Sequence, residues 1–200
     1  MHLVIFLHGF KSSPNSFKAQ HLAKLFEPFK SLLIWYCPAL PLSPLDAIAF
    51  IENWVAIKIE EYNSADNLRV TLIGSSLGGY FATYLAERHG WQAVLLNPAI
   101  LREINLESYI GETLYSYDKE TLLIIQPKHL NEIKMLAVPF ITRPQRYFLM
   151  AATGDEVINY QSMIQYYKNV NTYLIVGSNH GLHGFESHSA AILDFVISSQ

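Results

Sequence analysis

The chain has 200 residues, 50% of them hydrophobic and 16% charged, with a formal net charge of −3 at pH 7. That is enough apolar material for one buried core and little for two. It excludes a nucleic-acid footprint, because no basic stripe exists and aromatic residues do not interleave with Lys or Arg.

Taken in chain order, strand and helix patterns alternate from the start. Strand patterns cover Leu3–Leu7, Leu32–Tyr36, Arg69–Ile73, Ala93–Leu96, Tyr147–Ala152 and Thr172–Val176. Between and after them, helix patterns cover Ser16–Phe26, Pro44–Tyr62, Leu77–His89, Tyr160–Tyr167 and Glu186–Ser198. In the second helix, Ile48, Ile51, Val55 and Ile59 are spaced to make one face. Several strands are near-continuous apolar runs, the mark of strands covered on both sides. The expected architecture is α/β: a mostly parallel central sheet with helices on both faces. No repeat, linker or low-complexity tract interrupts it, so residues 1–200 read as a single domain.

Residues 99–139 depart from the alternation. They mix Tyr109, Ile110, Tyr115 and Tyr117 with acidic residues and end in a short helix pattern at Pro127–Leu136. This stretch reads equally as a small lid or as an irregular crossover. Apolar runs such as Leu3–Leu7 and Leu122–Ile125 are strand-sized and too short to span a bilayer. The start carries no basic stretch, apolar stretch and cleavage site in series, so a cytoplasmic location is expected. Cys37 is the only cysteine, which excludes an internal disulfide, and it reads as a small apolar residue at a strand end.

The chemistry begins at Gly74-Ser75-Ser76-Leu77-Gly78, a G-x-S-x-G sequence with a strand before it and a helix after it. Such a turn puts the central serine in a strained backbone conformation, and Gly74 and Gly78 leave room for strand and helix to approach. Ser76 is therefore the candidate nucleophile. The plainer role, a serine capping the helix, suits Ser75 as well as Ser76.

A serine hydroxyl needs a base within hydrogen-bond reach and a third group to orient that base. A strand–turn–helix serine predicts an acid after a late strand and a base after the last one. Asp155, in Thr153-Gly154-Asp155-Glu156-Val157, is the candidate acid, with Glu156 its competitor. His180, in Gly177-Ser178-Asn179-His180-Gly181-Leu182-His183, is the candidate base, with His183 its competitor.

For the oxyanion hole, the main-chain N–H groups of Leu77 and Phe10 are the candidates. Phe10 lies in the loop His8-Gly9-Phe10-Lys11-Ser12-Ser13-Pro14, where Gly9 allows close approach and His8 braces the loop by hydrogen bonds. Ser12, Ser13 and Ser16 hold that loop and cap the following helix. Tyr80, Tyr109, Tyr115, Leu182 and Phe185 are candidate pocket walls. No metal or organic cofactor is required.

These segments resemble the α/β-hydrolase superfamily and, within it, the small bacterial YqiA/YcfP-type esterases. The likeness rests on the opening L-H-G-F-K-S-S-P, the elbow G-S-S-L-G-G-Y-F-A-T-Y-L-A, the T-G-D-E-V segment and the closing G-S-N-H-G-L-H-G-F-E. It implies a compact core with a minimal cap, a triad on Ser76, Asp155 and His180, and esterase or thioesterase activity on acyl substrates. His183 departs from the pattern by offering a second imidazole. The expected partner is a small-molecule ester or thioester. An acyltransferase and a non-catalytic binding protein of the same fold are the rival readings.

Overall fold

The computed structural model describes residues 1–62, 68–116, 119 and 122–198. Its strands are β1 (His2–Leu7), β2 (Leu33–Tyr36), β3 (Arg69–Ser75), β4 (Gln92–Leu96), β5 (Leu114–Tyr115), β6 (Leu122–Leu123), β7 (Tyr147–Ala152) and β8 (Asn171–Ile175). Its helices are α1 (Phe17–Phe26), α2 (Pro44–Tyr62), α3 (Leu77–His89), α4 (Pro127–Met135), α5 (Tyr160–Tyr166) and α6 (Ala190–Ser198).

Six strands form one sheet in the order β2-β1-β3-β4-β7-β8, every neighbouring pair parallel. The period-two alternation of a strand divides its side chains between two cores. From β1, Leu3, Ile5 and Leu7 face the core closed by α2, α3, α4 and α5, while Val4 and Phe6 face the core closed by α1 and α6. Helix periodicity supplies the matching surfaces. In α1, Ala19, Leu22 and Phe26 are buried on one face, and in α6 Ile192 and Val196 are. Each fully buried side chain of this size contributes roughly 1.5–3 kcal/mol, so both layers are required. Helices on both faces of a parallel sheet are what the alternating pattern implied.

The topology also locates the functional edge. From β1 the chain crosses to β2 on one side, then returns to place β3 on the other. Loops leaving β1 and β3 therefore diverge above the sheet, and ligands of open α/β sheets bind at such a switch point.

The described residues of 99–139 form more than a bare crossover. β5 and β6 pair antiparallel, and Ile100, Leu106, Leu114, Leu123, Ile125 and Ile133 are buried against the α2/α3 face. Glu132 of α4 accepts the Ser43 hydroxyl at 2.7 Å and so fastens the segment to the start of α2. Tyr117 lies outside the described residues.

Three local expectations are corrected. Ser16 stands at the start of α1, yet its side chain makes no capping bond; the Gln20 amide instead ties the helix to the loop at Pro14 O, 3.0 Å away. The last helix begins at Ala190, because Phe185–Ser187 form a separate turn whose Phe185 is driven into the core. Ser189 Oγ, donating to Glu186 O at 2.9 Å, holds that turn apart from the helix. Finally, β8 is an edge strand whose first four residues are exposed, so its apolar run does not mark burial on both faces. Among the described residues, no helix is long and apolar enough to cross a membrane.

Candidate active site

The turn between β3 and α3 is as tight as the glycine spacing implied. Ser76 has φ 54° and ψ −120°, a conformation that L-residues rarely adopt. A Cβ on Gly74 would stand 2.3 Å from Gly78 O, and one on Gly78 would stand 2.0 Å from Leu7 O. No side chain fits either position, so strand β3, helix α3 and the end of β1 converge only because both are glycine. The turn is locked from the neighbouring strand. Ser76 N–H donates to Leu96 O at 3.0 Å, and Ala99 N–H donates to Ser76 O at 2.9 Å. Neither Ser75 nor Ser76 caps the helix with its side chain.

Freed from capping, the Ser76 hydroxyl donates to His180 Nε2 at 3.0 Å. His180 Nδ1–H donates to Asp155 Oδ2 at 2.8 Å. The Asp155 side chain is fully shielded from solvent, and its Oδ1 accepts the N–H groups of Val157 and Ile158, each at 2.8 Å. A buried carboxylate bonded to that many donors is rotationally fixed. It selects the imidazole tautomer that leaves Nε2 bare toward the serine.

The competitors are separated by this geometry. Glu156 does not reach the imidazole; its carboxylate accepts the main-chain N–H of His180 at 3.0 Å. That bond holds the Glu156 carboxyl below its ordinary range. His183 stands exposed three residues on, with its own N–H bonded to Asn179 Oδ1 at 3.1 Å.

Lys18 of α1 joins the site from a position that carries no motif. Its Nζ donates to Gly181 O at 3.0 Å, beside the imidazole. Removal from water lowers the half-buried ammonium to about 8, with the charge of Asp155 acting in the opposite sense. No sequence signal marks such a contact, since Lys18 and Gly181 meet only through the fold.

The loop after β1 presses against the serine. A Cβ on Gly9 would lie 3.1 Å from Ser76 Cβ and 3.7 Å from its Oγ. His8 makes two main-chain bonds there: Nδ1–H donates to Gly9 O at 3.0 Å, and Nε2 accepts from Leu40 N–H at 3.0 Å. That pattern needs a neutral imidazole and leaves it no role as a base. Phe10 and Leu77 both line a cavity of about 140 Å³, closed by Leu40, Leu42, Phe81 and Leu123. Leu77 is the first residue of α3, where a helix leaves its N–H groups without partners along the chain.

The other candidate walls divide. Phe10 packs on Tyr109 with ring centroids 5.5 Å apart, so Tyr109 borders this region. Tyr80 is buried with its hydroxyl given to Ile133 O at 2.8 Å, and Tyr115 is exposed. Leu182 and Phe185, each 1% exposed, belong to the core under α1 and α6 and line no part of this cavity. A larger cavity of about 760 Å³ is lined by Ile100, Leu101, Val138, Pro139 and Tyr166; neither cavity is lined by Ser76, Asp155 or His180 themselves, but the smaller one includes Gly9 and Leu77, which adjoin Ser76. Cys37 is half-buried, and burial pushes its thiol up to about 12, which makes it a packing residue. Among the described residues, no cluster of His, Cys, Asp and Glu is arranged to hold a metal ion.

The chain is similar throughout its length to solved hydrolase structures. Est1E from Butyrivibrio proteoclasticus, solved with ferulic acid bound, is 17% identical with a TM-score of 0.68, covering 99% of this chain and 89% of that one. Alpha/beta hydrolase domain-containing protein 10 from mouse is 17% identical with a TM-score of 0.63, covering 96% and 89%. An alpha-beta serine hydrolase homologue from Coxiella burnetii is 13% identical with a TM-score of 0.59, covering 100% and 85%. At these identities the likeness establishes the fold, which is that of the α/β-hydrolases. The model of the group described as Uncharacterised protein family (UPF0227) matches residues 3–197, and the chain belongs to that family.

Proposed function

We propose that the protein is a serine hydrolase that cleaves esters or thioesters of acyl groups through an acyl-enzyme on Ser76. The observation that carries this reading is the continuous hydrogen-bond series from Ser76 Oγ through His180 to the enclosed Asp155. A binding protein has no use for a serine held at φ 54° with its hydroxyl aimed at an imidazole.

In the first step Ser76 Oγ attacks the carbonyl carbon while its proton passes to His180 Nε2. Asp155 stabilises the imidazolium and keeps Nδ1 protonated. The developing oxyanion is received by the N–H groups of Phe10 and Leu77, each such donor being worth roughly 3 kcal/mol. Collapse breaks the bond to the alcohol or thiol, which takes the proton from His180. Water then enters by the reverse route, transferring a proton to His180 as it attacks the acyl carbon; the acyl–Oγ bond breaks, Ser76 Oγ takes that proton from His180, and the acid product leaves.

The cavity beside Phe10 and Leu77 takes the acyl group. Residues 1–200 act as one catalytic domain, and residues 99–139 form its small roof through Ser116 and Leu123.

A fluorophosphonate probe followed by peptide mass spectrometry tests the reading. The expected result is one adduct, on Ser76, absent from Ser76→Ala and His180→Ala. Folded wild-type protein that acquires no adduct would overturn it.

A further inference from the structure

Asn97 follows β4 directly, is 1% exposed and has φ 42°. Asparagine tolerates this left-handed conformation better than most residues. Here it turns the amide across the strand ends. The main-chain N–H donates to Met150 O at 2.9 Å, carrying the β4–β7 ladder one residue further. Oδ1 accepts Ala152 N–H at 2.8 Å, while Nδ2 donates to Asn179 O at 3.2 Å and to His180 O at 3.0 Å. These partners fix the orientation of the amide, since a strand N–H needs an acceptor and two carbonyls need donors.

The residues around Asn97 hold the other two members of the series. Leu96 O takes Ser76 N–H, and Ala99 N–H binds Ser76 O. Ala152, held by Asn97 Oδ1, accepts Asp155 N–H at 3.3 Å through its own carbonyl. One buried side chain thus lies at the junction of the three segments that carry nucleophile, acid and base.

We propose that Asn97 is a positioning residue, whose amide sets the distance of the His180 loop from the end of β7 and so keeps Nε2 in line with Ser76 Oγ. The proposal rests on the serine-hydrolase reading. Asn97 acts through main-chain groups only and touches no reacting atom. Its two bonds to the loop come from a buried side chain, whereas Lys18 and Glu156 hold the same loop from half-buried and exposed positions. A displacement of about 1 Å at a catalytic group costs on the order of 10²-fold in rate.

Asn97→Asp isolates the loop bonds. It keeps an acceptor for Ala152 N–H and turns an oxygen toward the two carbonyls. Asn97→Ser, smaller and uncharged, serves if the carboxylate prevents folding. Val94→Ala is the control, since it opens a cavity in the same strand, at 0% exposure, while removing no hydrogen bond to the loop.

Fluorophosphonate labelling rates and ester kinetics are measured on each, well below its own melting temperature. The expected result is labelling and kcat reduced about 10- to 100-fold in the Asn97 variants with KM within about threefold of wild type. Val94→Ala, at a stability cost of about 2 kcal/mol, is expected to label at close to the wild-type rate. Folded Asn97 variants that label as fast as Val94→Ala would overturn this proposal alone. Absence of any adduct on the wild-type protein would end the hydrolase reading and this proposal with it.

Discussion

Glu156 accepts the main-chain N–H of His180 at 3.0 Å, while its neighbour Asp155 takes the imidazole of the same residue at 2.8 Å. Adjacent carboxylates thus hold one histidine by two different atoms, one exposed and one enclosed. Glu156→Gln keeps an acceptor for the N–H and is expected to retain activity within about twofold, while Glu156→Ala lowers kcat by about 3- to 10-fold with KM little changed. Steady-state ester kinetics check this. The lowered carboxyl also predicts a small stabilisation that is complete above the ordinary glutamate range and lost as pH falls through the folded value. Comparing the urea midpoints of wild type and Glu156→Gln in mild acid tests that sign.

Replacing Ser76 separates chemistry from strain. Ser76→Ala should keep the fold and lose turnover. Ser76→Gly should also be inactive, yet more stable than the alanine variant by about 1 kcal/mol, because glycine alone adopts φ 54° without a Cβ penalty. Thermal melts of the two variants read the difference. Retained wild-type esterase rates in Ser76→Ala would sink the mechanism.

Two histidines sit in the loop after β8, and only His180 meets Ser76. His180→Ala is expected to be inactive, and the exposed His183→Ala to keep kcat/KM within about threefold of wild type. The reverse outcome would transfer the role of base to His183.

At the opposite end of the sheet, His2 is buried between Arg69 and Thr71, accepting Arg69 Nη2–H on Nδ1 at 2.7 Å and bonding Thr71 Oγ1 through Nε2 at 2.8 Å. Desolvation, then the charge of Arg69, lowers its pKa from 6.5 to about 3. The unfolded chain therefore binds a proton that the folded one refuses. Stability from this residue is complete above 6.5 and falls toward about 3, with a slope of at most about 1.4 kcal/mol per pH unit. Urea denaturation across that window should show the slope in wild type and a flatter profile in His2→Gln. An equal slope in both would refute the assignment.

The sequence by itself determined the fold class and the order of the candidate site residues along the chain. Alternating apolar runs and amphipathic helices specify a two-sided sheet, because burial of each strand face needs a helix to cover it. Gly74 and Gly78 announce the turn at Ser76, since atoms of the neighbouring chain occupy the space where their side chains would be. Local signals also placed Asp155 and His180 at strand ends. What they left open was which of two carboxylates and which of two imidazoles face inward, and a shift of one to three residues along a loop decides that. Only the tertiary structure made those choices, by enclosing Asp155, exposing His183, and bringing Lys18 and Asn97 onto the His180 loop from distant segments. It also placed Leu182 and Phe185 in the core and packed Leu106, Leu114, Leu123 and Ile133 of the 99–139 stretch into the core on the other face. Hydrophobic period and turn chemistry act over a few residues and can be read along the chain. Hydrogen bonds between residues about eighty positions apart, such as Asn97 to His180, exist only once β4 and the end of β8 lie in the same assembled sheet.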